Sequence, residues 1–119
     1  MLQLIKYDFN IKIKYLEDKV KKSDFLITDG THRIVGIKMT KERQDYYPIV
    51  SLVCCSYEVA YTKNAAFRFG KKIITDKDIS AKLFKITVGN YIPENLYNPI
   101  AKCYILAIGT EKLNKMLEI

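Results

Sequence analysis

An alternation of apolar and polar residues near the start of the chain places the strongest constraint on its fold. The apolar positions in this stretch are Ile5, Tyr7, Phe9, Ile11, Ile13 and Tyr15. Lys, Asp and Asn residues stand between them. A period of two is typical of a β-strand, whose successive side chains point to opposite faces. We therefore predict a long first strand over residues 5–15, with one face in the core and a mostly basic face outward.

Residues 16–23 are charged and predict a loop, and a hairpin signal follows them. Asp29-Gly30 stands between an apolar run over residues 24–28 and a second run over residues 32–40. Glycine adopts positive φ at no steric cost, so Asp-Gly between two such runs favours a tight turn. Gly36 interrupts the second run, where a glycine typically marks a sharp bend or a close approach of another backbone. The first part of the chain thus predicts a meander of three antiparallel strands.

The middle of the chain leaves alternatives open. Residues 46–61 are apolar on all sides and fit either a buried helix beginning at Pro48 or another strand. Residues 62–77 include a concentration of basic side chains and fit either a basic patch or a solvated loop. Asp76 and the polar residues after it favour a helix cap or a turn.

Order returns in the last third of the chain. Alternation predicts a strand over residues 83–91, and the turn-forming residues after it predict a loop over residues 90–99. Residues 102–108 predict a final strand buried on both faces, and residues 109–119 predict a short amphipathic helix. Five strands in this order predict a mainly β fold, a five-stranded OB-fold barrel with an intervening helical or irregular segment and a short C-terminal helix. Residues 1–119 would form a single OB-fold domain.

Composition narrows the functional classes. A chain of 119 residues is long enough for one core, and its net charge of +7 favours contact with polyanions. We expect no membrane association, because no apolar run reaches the roughly 18 residues that a membrane span needs. Three cysteines, two of them adjacent, do not predict a disulfide framework, so we expect reduced thiols and an intracellular protein.

The residue inventory does not favour an enzyme. His32 is the only histidine, which excludes a site with two histidine ligands. Adjacent cysteines fit poorly into a tetrahedral zinc shell, where a spacer of two or more residues is usual. No nucleophile-elbow, Walker or two-histidine zinc motif occurs. We therefore expect no catalytic residues, no metal site and no cofactor.

The hairpin over residues 24–39 resembles strands of two related OB domains. One is the N-terminal domain of the large subunit of replication protein A. The other is the OB domain of the telomerase-recruiting shelterin subunit, to which yeast Est-type telomerase accessory subunits are similar. The run Asp29-Gly30-Thr31-His32 is most similar to the telomeric domain, and residues 1–6 and 84–113 resemble the replication protein.

The resemblance implies a nuclear, non-catalytic adaptor that acts by protein–protein contacts in a telomere, telomerase or single-strand-DNA maintenance complex. Its partners would be protein subunits of that complex. The alternative function is direct binding of single-stranded DNA or RNA, with cations for the phosphates and an aromatic platform for the bases. The candidate nucleic-acid-binding residues are Lys12, Lys14, Arg33, Lys38, Lys85 and Tyr91.

Overall fold

Helices and strands alternate along most of the chain. The computed structural model describes residues 2–109, and it describes side chains from Phe9 onward. The elements in chain order are α1 (Leu2–Lys22), β1 (Phe25–Thr28), β2 (Arg33–Glu42), β3 (Asp45–Cys55), α2 (Glu58–Arg68), β4 (Ile73–Thr75), α3 (Lys77–Phe84), a short 3-10 turn (Glu94–Leu96) and α4 (Tyr97–Ala107). In the described residues, no helix has the length and apolar character needed to cross a membrane.

The four strands of the described residues form one open, mixed sheet in the order β3-β2-β1-β4. Strands β1, β2 and β3 are antiparallel neighbours, whereas β4 lies parallel to β1 with Ile73 opposite Leu26. The outer strands β3 and β4 do not pair with each other, so the sheet does not close. The predicted five-stranded OB-fold barrel is therefore wrong, and the fold is mixed α/β.

The sheet is buried on both faces, which gives the domain three layers. Successive residues of a strand point to opposite faces, and Phe25 and Leu26 of β1 accordingly belong to two different cores. The core around Phe25 is completed by α3 and α4, and the core around Leu26 is completed by α1 and α2. A strand that is buried on both faces has a nearly continuous apolar sequence. This is why the sequence of residues 46–61 shows no clear hydrophobic period.

Helix α1 occupies the segment for which the alternation predicted a strand, so that prediction is wrong. A helical spacing is also present, because Phe9, Ile13, Leu16 and Val20 recur at intervals of four, three and four residues. Leu16 and Val20 are buried against the sheet, whereas Ile11 is half exposed. The buried end of the helix thus lies in residues that the sequence assigned to a charged loop.

Other predictions have mixed outcomes. The Asp-Gly hairpin is confirmed, since β1 and β2 pair antiparallel across residues 29–32. Residues 46–61 form most of β3 and the beginning of α2, and α2 continues into the segment described as a basic patch or a loop.

The strand predicted over residues 102–108 is wrong, because α4 runs through it to Ala107. The helix predicted over 109–119 lies almost entirely outside the described residues.

The segment after α3 is irregular, so the strand predicted over residues 83–91 is also wrong. Ile86 and Val88 are partly buried against the Phe25 core, which accounts for their alternation with polar residues. The segment then runs along the edge of β3, where Tyr91 forms an isolated bridge with Ile49. The loop predicted over residues 90–99 ends earlier than expected, because residues 97–99 already belong to α4.

Gly36 marks a close approach, but side chains come close to it and not the backbone that was predicted. A β-bulge follows it in the pairing of β2 with β3. A Cβ atom at this position would lie 2.6 Å from Ser23 Oγ and 2.8 Å from Ser51 Oγ. These two hydroxyls share a hydrogen bond of 2.7 Å, and Ser23 also donates to the carbonyl of Lys19 at 2.8 Å. The absence of a side chain at Gly36 therefore lets the end of α1 sit directly on the sheet.

Candidate functional site: the turn between strands β1 and β2

The turn over residues 29–32 carries a concentration of polar and ionisable groups. It lies beside the beginning of α3, since the backbone N–H of Asp76 donates to the carbonyl of Thr28 at 2.9 Å. The turn and α3 border an open polar cleft of about 400 Å³. The cleft is lined by Asp29, Thr31, His32, Arg33 and Lys77.

The carboxylate of Asp29 organises the turn. Its Oδ1 accepts backbone N–H bonds from Thr31, His32 and Arg33, at 3.1, 2.9 and 3.0 Å. These bonds stabilise the ionised form and hold the pKa of Asp29 below its ordinary value, the bond from Arg33 being the largest contribution. The sequence pattern is that of a side chain that folds back onto the backbone a few residues later. An ionised carboxylate therefore sits at the centre of the turn.

Two further residues hold the turn from outside. The hydroxyl of Thr28 donates to the carbonyl of Arg33 at 2.6 Å and accepts the N–H of Gly30 at 3.0 Å. Lys63 of α2 donates its ammonium to the carbonyl of Gly30. Gly30 has a φ of +117°, a conformation that residues with a Cβ rarely adopt. The turn is thus fixed both from its own strands and from the neighbouring helix.

Thr31 and His32 offer the nearest approach to reactive chemistry in this turn. The hydroxyl of Thr31 and Nδ1 of His32 are 2.8 Å apart, and both residues are exposed. Within the described residues, no cluster of three His, Cys, Asp or Glu side chains is placed to hold a metal ion. Asp29, the acid in this turn, uses one oxygen on three backbone donors, which suits a structural role better than proton transfer. The arrangement fits a fixed, charged recognition surface.

The six residues predicted to bind nucleic acid lie on α1, on β2 and in the irregular segment after α3. Lys12 and Lys14 lie on α1, and Lys12 forms an ion pair of 2.9 Å with Glu58 of α2. That carboxylate raises the pKa of Lys12. Arg33 borders the polar cleft, and its guanidinium carbon lies 5.1 Å from the centre of the Phe84 ring.

The remaining three candidates lie elsewhere. Lys38 is in the middle of β2, beside Lys19 and Lys22 of α1 in a second cleft. Lys85 is exposed directly after α3. Tyr91 is half exposed at the edge of β3, where its ring meets that of Tyr47 at 6.0 Å. The structure therefore does not bring the six residues together into one groove.

Sequence reasoning missed two cations that complete the turn. Lys63 and Lys77 lie far from it along the chain and approach it only through the packing of α2 and α3. No local pattern could have found them. The role of Asp29 did have a local signal, because Asp, Asn, Ser and Thr commonly accept bonds from the backbone at turns.

The amino-acid sequence matches the FlhB HrpN YscU SpaS family, which comprises bacterial export proteins, over residues 8–107. That span includes every strand and nearly all the helical residues described above. No match is found among curated proteins.

Solved structures show the same fold. The C-terminal domain of EscU, in a variant with an asparagine-to-aspartate substitution, superposes with a TM-score of 0.76 at 24% identity, covering 85% of this chain and 93% of that domain. An EscU variant with a proline-to-alanine substitution gives a TM-score of 0.70 at 23% identity, covering 78% and 92%. The cytoplasmic domain of FlhB from Shewanella putrefaciens gives 0.65 at 17% identity, covering 75% and 72%.

The family match corrects the interpretation drawn from the hairpin. The proposed kinship with telomeric and replication OB domains is wrong, and so are the telomerase or single-strand-DNA partners and the nuclear location. An Asp-Gly hairpin followed by a polar pair occurs in many folds, and here it joins two strands of an open sheet. The chain belongs to the FlhB HrpN YscU SpaS family.

Proposed function

We propose that this domain is part of a component of a bacterial secretion or flagellar export apparatus. The observation that carries the proposal is the family match over residues 8–107. The domain would work on the cytoplasmic side of the apparatus, as the description of the FlhB relative as a cytoplasmic domain suggests.

We further propose that the domain acts through protein contacts and without turning over a substrate. The fixed turn around Asp29 supports this view, because its carboxylate is engaged by backbone donors. Exposed apolar side chains on α1 and α2 also support it, since such surfaces commonly mark contacts with other proteins. Phe9 and Tyr61 meet there edge to face at 5.2 Å, and Phe67 is 86% exposed.

Deletion and complementation in the bacterium that encodes the chain test the proposal. Removing the coding sequence of residues 1–119 should reduce the proteins released into the medium, or the number of flagellar filaments. A plasmid copy should restore them. Both are measured by quantitative mass spectrometry of the culture medium and by electron microscopy of the cells.

Two variants in this experiment test whether export requires the folded domain or only the presence of the polypeptide. Leu16→Asp places a charge in a buried position and should not restore export, because an unpaired buried charge destabilises the fold. Lys14→Ala alters an exposed polar position of the same helix and should restore export. Unchanged release of proteins and unchanged filaments in the deletion strain would overturn the proposal.

A further inference from the structure

We propose that a cleft between the end of α1 and the strands β2 and β3 is a docking site for an acidic, partly apolar segment of a partner protein. We call it the lysine cleft. It has a volume of about 170 Å³, and its lining includes Lys19, Lys22, Lys38, Ile49, Ser51 and Val88. The inference goes beyond the proposed function, because it assigns a surface and a partner chemistry within the domain.

The charge of the cleft is the first argument. Lys19 and Lys22 come from the last turn of α1, and Lys38 comes from β2. None of the described residues that line the cleft is acidic. Among the described residues, the three ion pairs engage other cations, so the lysines of the cleft are not neutralised in that part of the chain. Clustered like charges favour an anionic partner.

A simpler explanation accounts for only part of this cluster. Lysines are common in the last turn of a helix, where they complement the partial negative charge of its carbonyl groups. Lys19 has a second contact, because its ammonium lies 5.6 Å from the centre of the Tyr15 ring. Lys38 belongs to a strand, however, so the helix dipole does not explain why it joins the other two lysines.

The backbone beneath the lysines is held rigidly. Ser23 donates to the carbonyl of Lys19 at 2.8 Å and shares a hydrogen bond of 2.7 Å with Ser51. Gly36 leaves the space that these hydroxyls need. The end of α1 is therefore fixed against β3, the neighbour of the strand that carries Lys38. A cleft that is organised before binding loses less entropy when a partner docks.

The lining favours a peptide over nucleic acid or lipid. Ile49 and Val88 are partly buried and offer an apolar surface beside the ammonium groups. In the part of the chain that the structure describes, no aromatic residue lines the cleft to provide a platform on which single-stranded bases stack. The cleft is small and concave, which suits one or two carboxylate side chains better than a flat anionic membrane. An acidic segment with an aliphatic residue matches both the charge and the apolar part.

Binding of a fluorescein-labelled peptide, measured by fluorescence anisotropy, tests this proposal. The peptide has ten residues, of which two are leucine and the others are glutamate or aspartate. The test variant is Lys19→Gln/Lys22→Gln/Lys38→Gln. The matched control removes three exposed lysines elsewhere, Lys14→Gln/Lys72→Gln/Lys102→Gln, so that both variants have the same net charge. Circular dichroism confirms that each variant is folded. If the test variant does not fold, Lys22→Gln is compared with Lys14→Gln.

At low salt, we expect the test variant to bind the peptide about tenfold more weakly than the unmodified chain, and the control to lose less than about twofold. In the single-residue comparison, Lys22→Gln should bind the peptide more weakly than Lys14→Gln. Equal losses in the two variants would overturn the proposal, because binding would then follow net charge alone. It would also be overturned if the lysines of the cleft governed binding to phosphatidylserine vesicles or to a ten-nucleotide DNA and left peptide binding unchanged.

Discussion

Asp29 shows how one side chain can define a turn that the backbone alone would leave loose. Its Oδ1 accepts three N–H groups that have no partner in the ladder between β1 and β2. The structural role resembles that of an N-cap residue, whose side chain accepts a backbone N–H that would otherwise lack a partner. The turn is part of the candidate site because the carboxylate holds it in shape.

We expect Asp29→Ala to lower the free energy of unfolding by about 1 kcal/mol, the usual effect of losing such a cap. Asp29→Asn keeps an oxygen acceptor at the same place and should have a smaller effect. Urea unfolding followed by circular dichroism measures both. Equal destabilisation by Ala and Asn would show that the negative charge, and not the acceptor geometry, matters.

The same carboxylate predicts a dependence on pH. The pKa of Asp29 in the folded chain lies below its ordinary value of 3.8, because backbone N–H groups stabilise the ionised form. Its contribution is therefore fully present above that value and is lost as the pH falls through the folded pKa. The stability difference between the unmodified chain and Asp29→Asn should narrow as the pH falls below 3.8. A difference that widens in acid would contradict this sign.

At the scale of the element, the alternating pattern in α1 led to the wrong prediction of a strand. Its apolar residues satisfy a period of two over residues 5–15 and also a helical spacing that continues to Val20. The helical pattern explains more of the chain, because it includes the buried Leu16, which a strand ending at Tyr15 leaves in a loop. Periodicity over a longer window would have favoured the helix.

Two substitutions in α1 distinguish its faces. Leu16 is 2% exposed, so Leu16→Ala should cost about 2–5 kcal/mol through lost burial and a residual cavity. Ile11 is 50% exposed, so Ile11→Ala should change stability by less than about 0.5 kcal/mol. The two are compared by urea unfolding under identical conditions. The opposite ranking would restore the strand assignment, in which Ile11 faces the core.

Local signals did predict several elements. Asp29-Gly30 located the hairpin, Gly36 located the close approach of α1, and Asp76 caps α3 by accepting the N–H of Ile79 at 3.0 Å. Each of these depends on one residue with a specific conformational or hydrogen-bonding role. In contrast, α4 carries apolar residues on several sides, so its segment resembled a buried strand.

At the scale of the whole molecule, the predicted barrel was wrong because the strands are connected in a different topology. The order of predicted strands suggested a closed barrel, but the chain places β4 parallel to β1 after a helix. A parallel neighbour needs such a crossover connection, and helices on both faces then bury the sheet. The cations of the candidate site come together only through this topology, which no local window of sequence reveals.

The parallel pairing of β1 with β4 is the most direct test of the account, because it separates the open α/β sheet from a closed barrel. NMR of the isotope-labelled chain should show helical chemical shifts from Phe9 to Val20 and cross-strand contacts between Leu26 and Ile73. Extended shifts over Phe9–Tyr15, with contacts from that segment to a neighbouring strand, would contradict it.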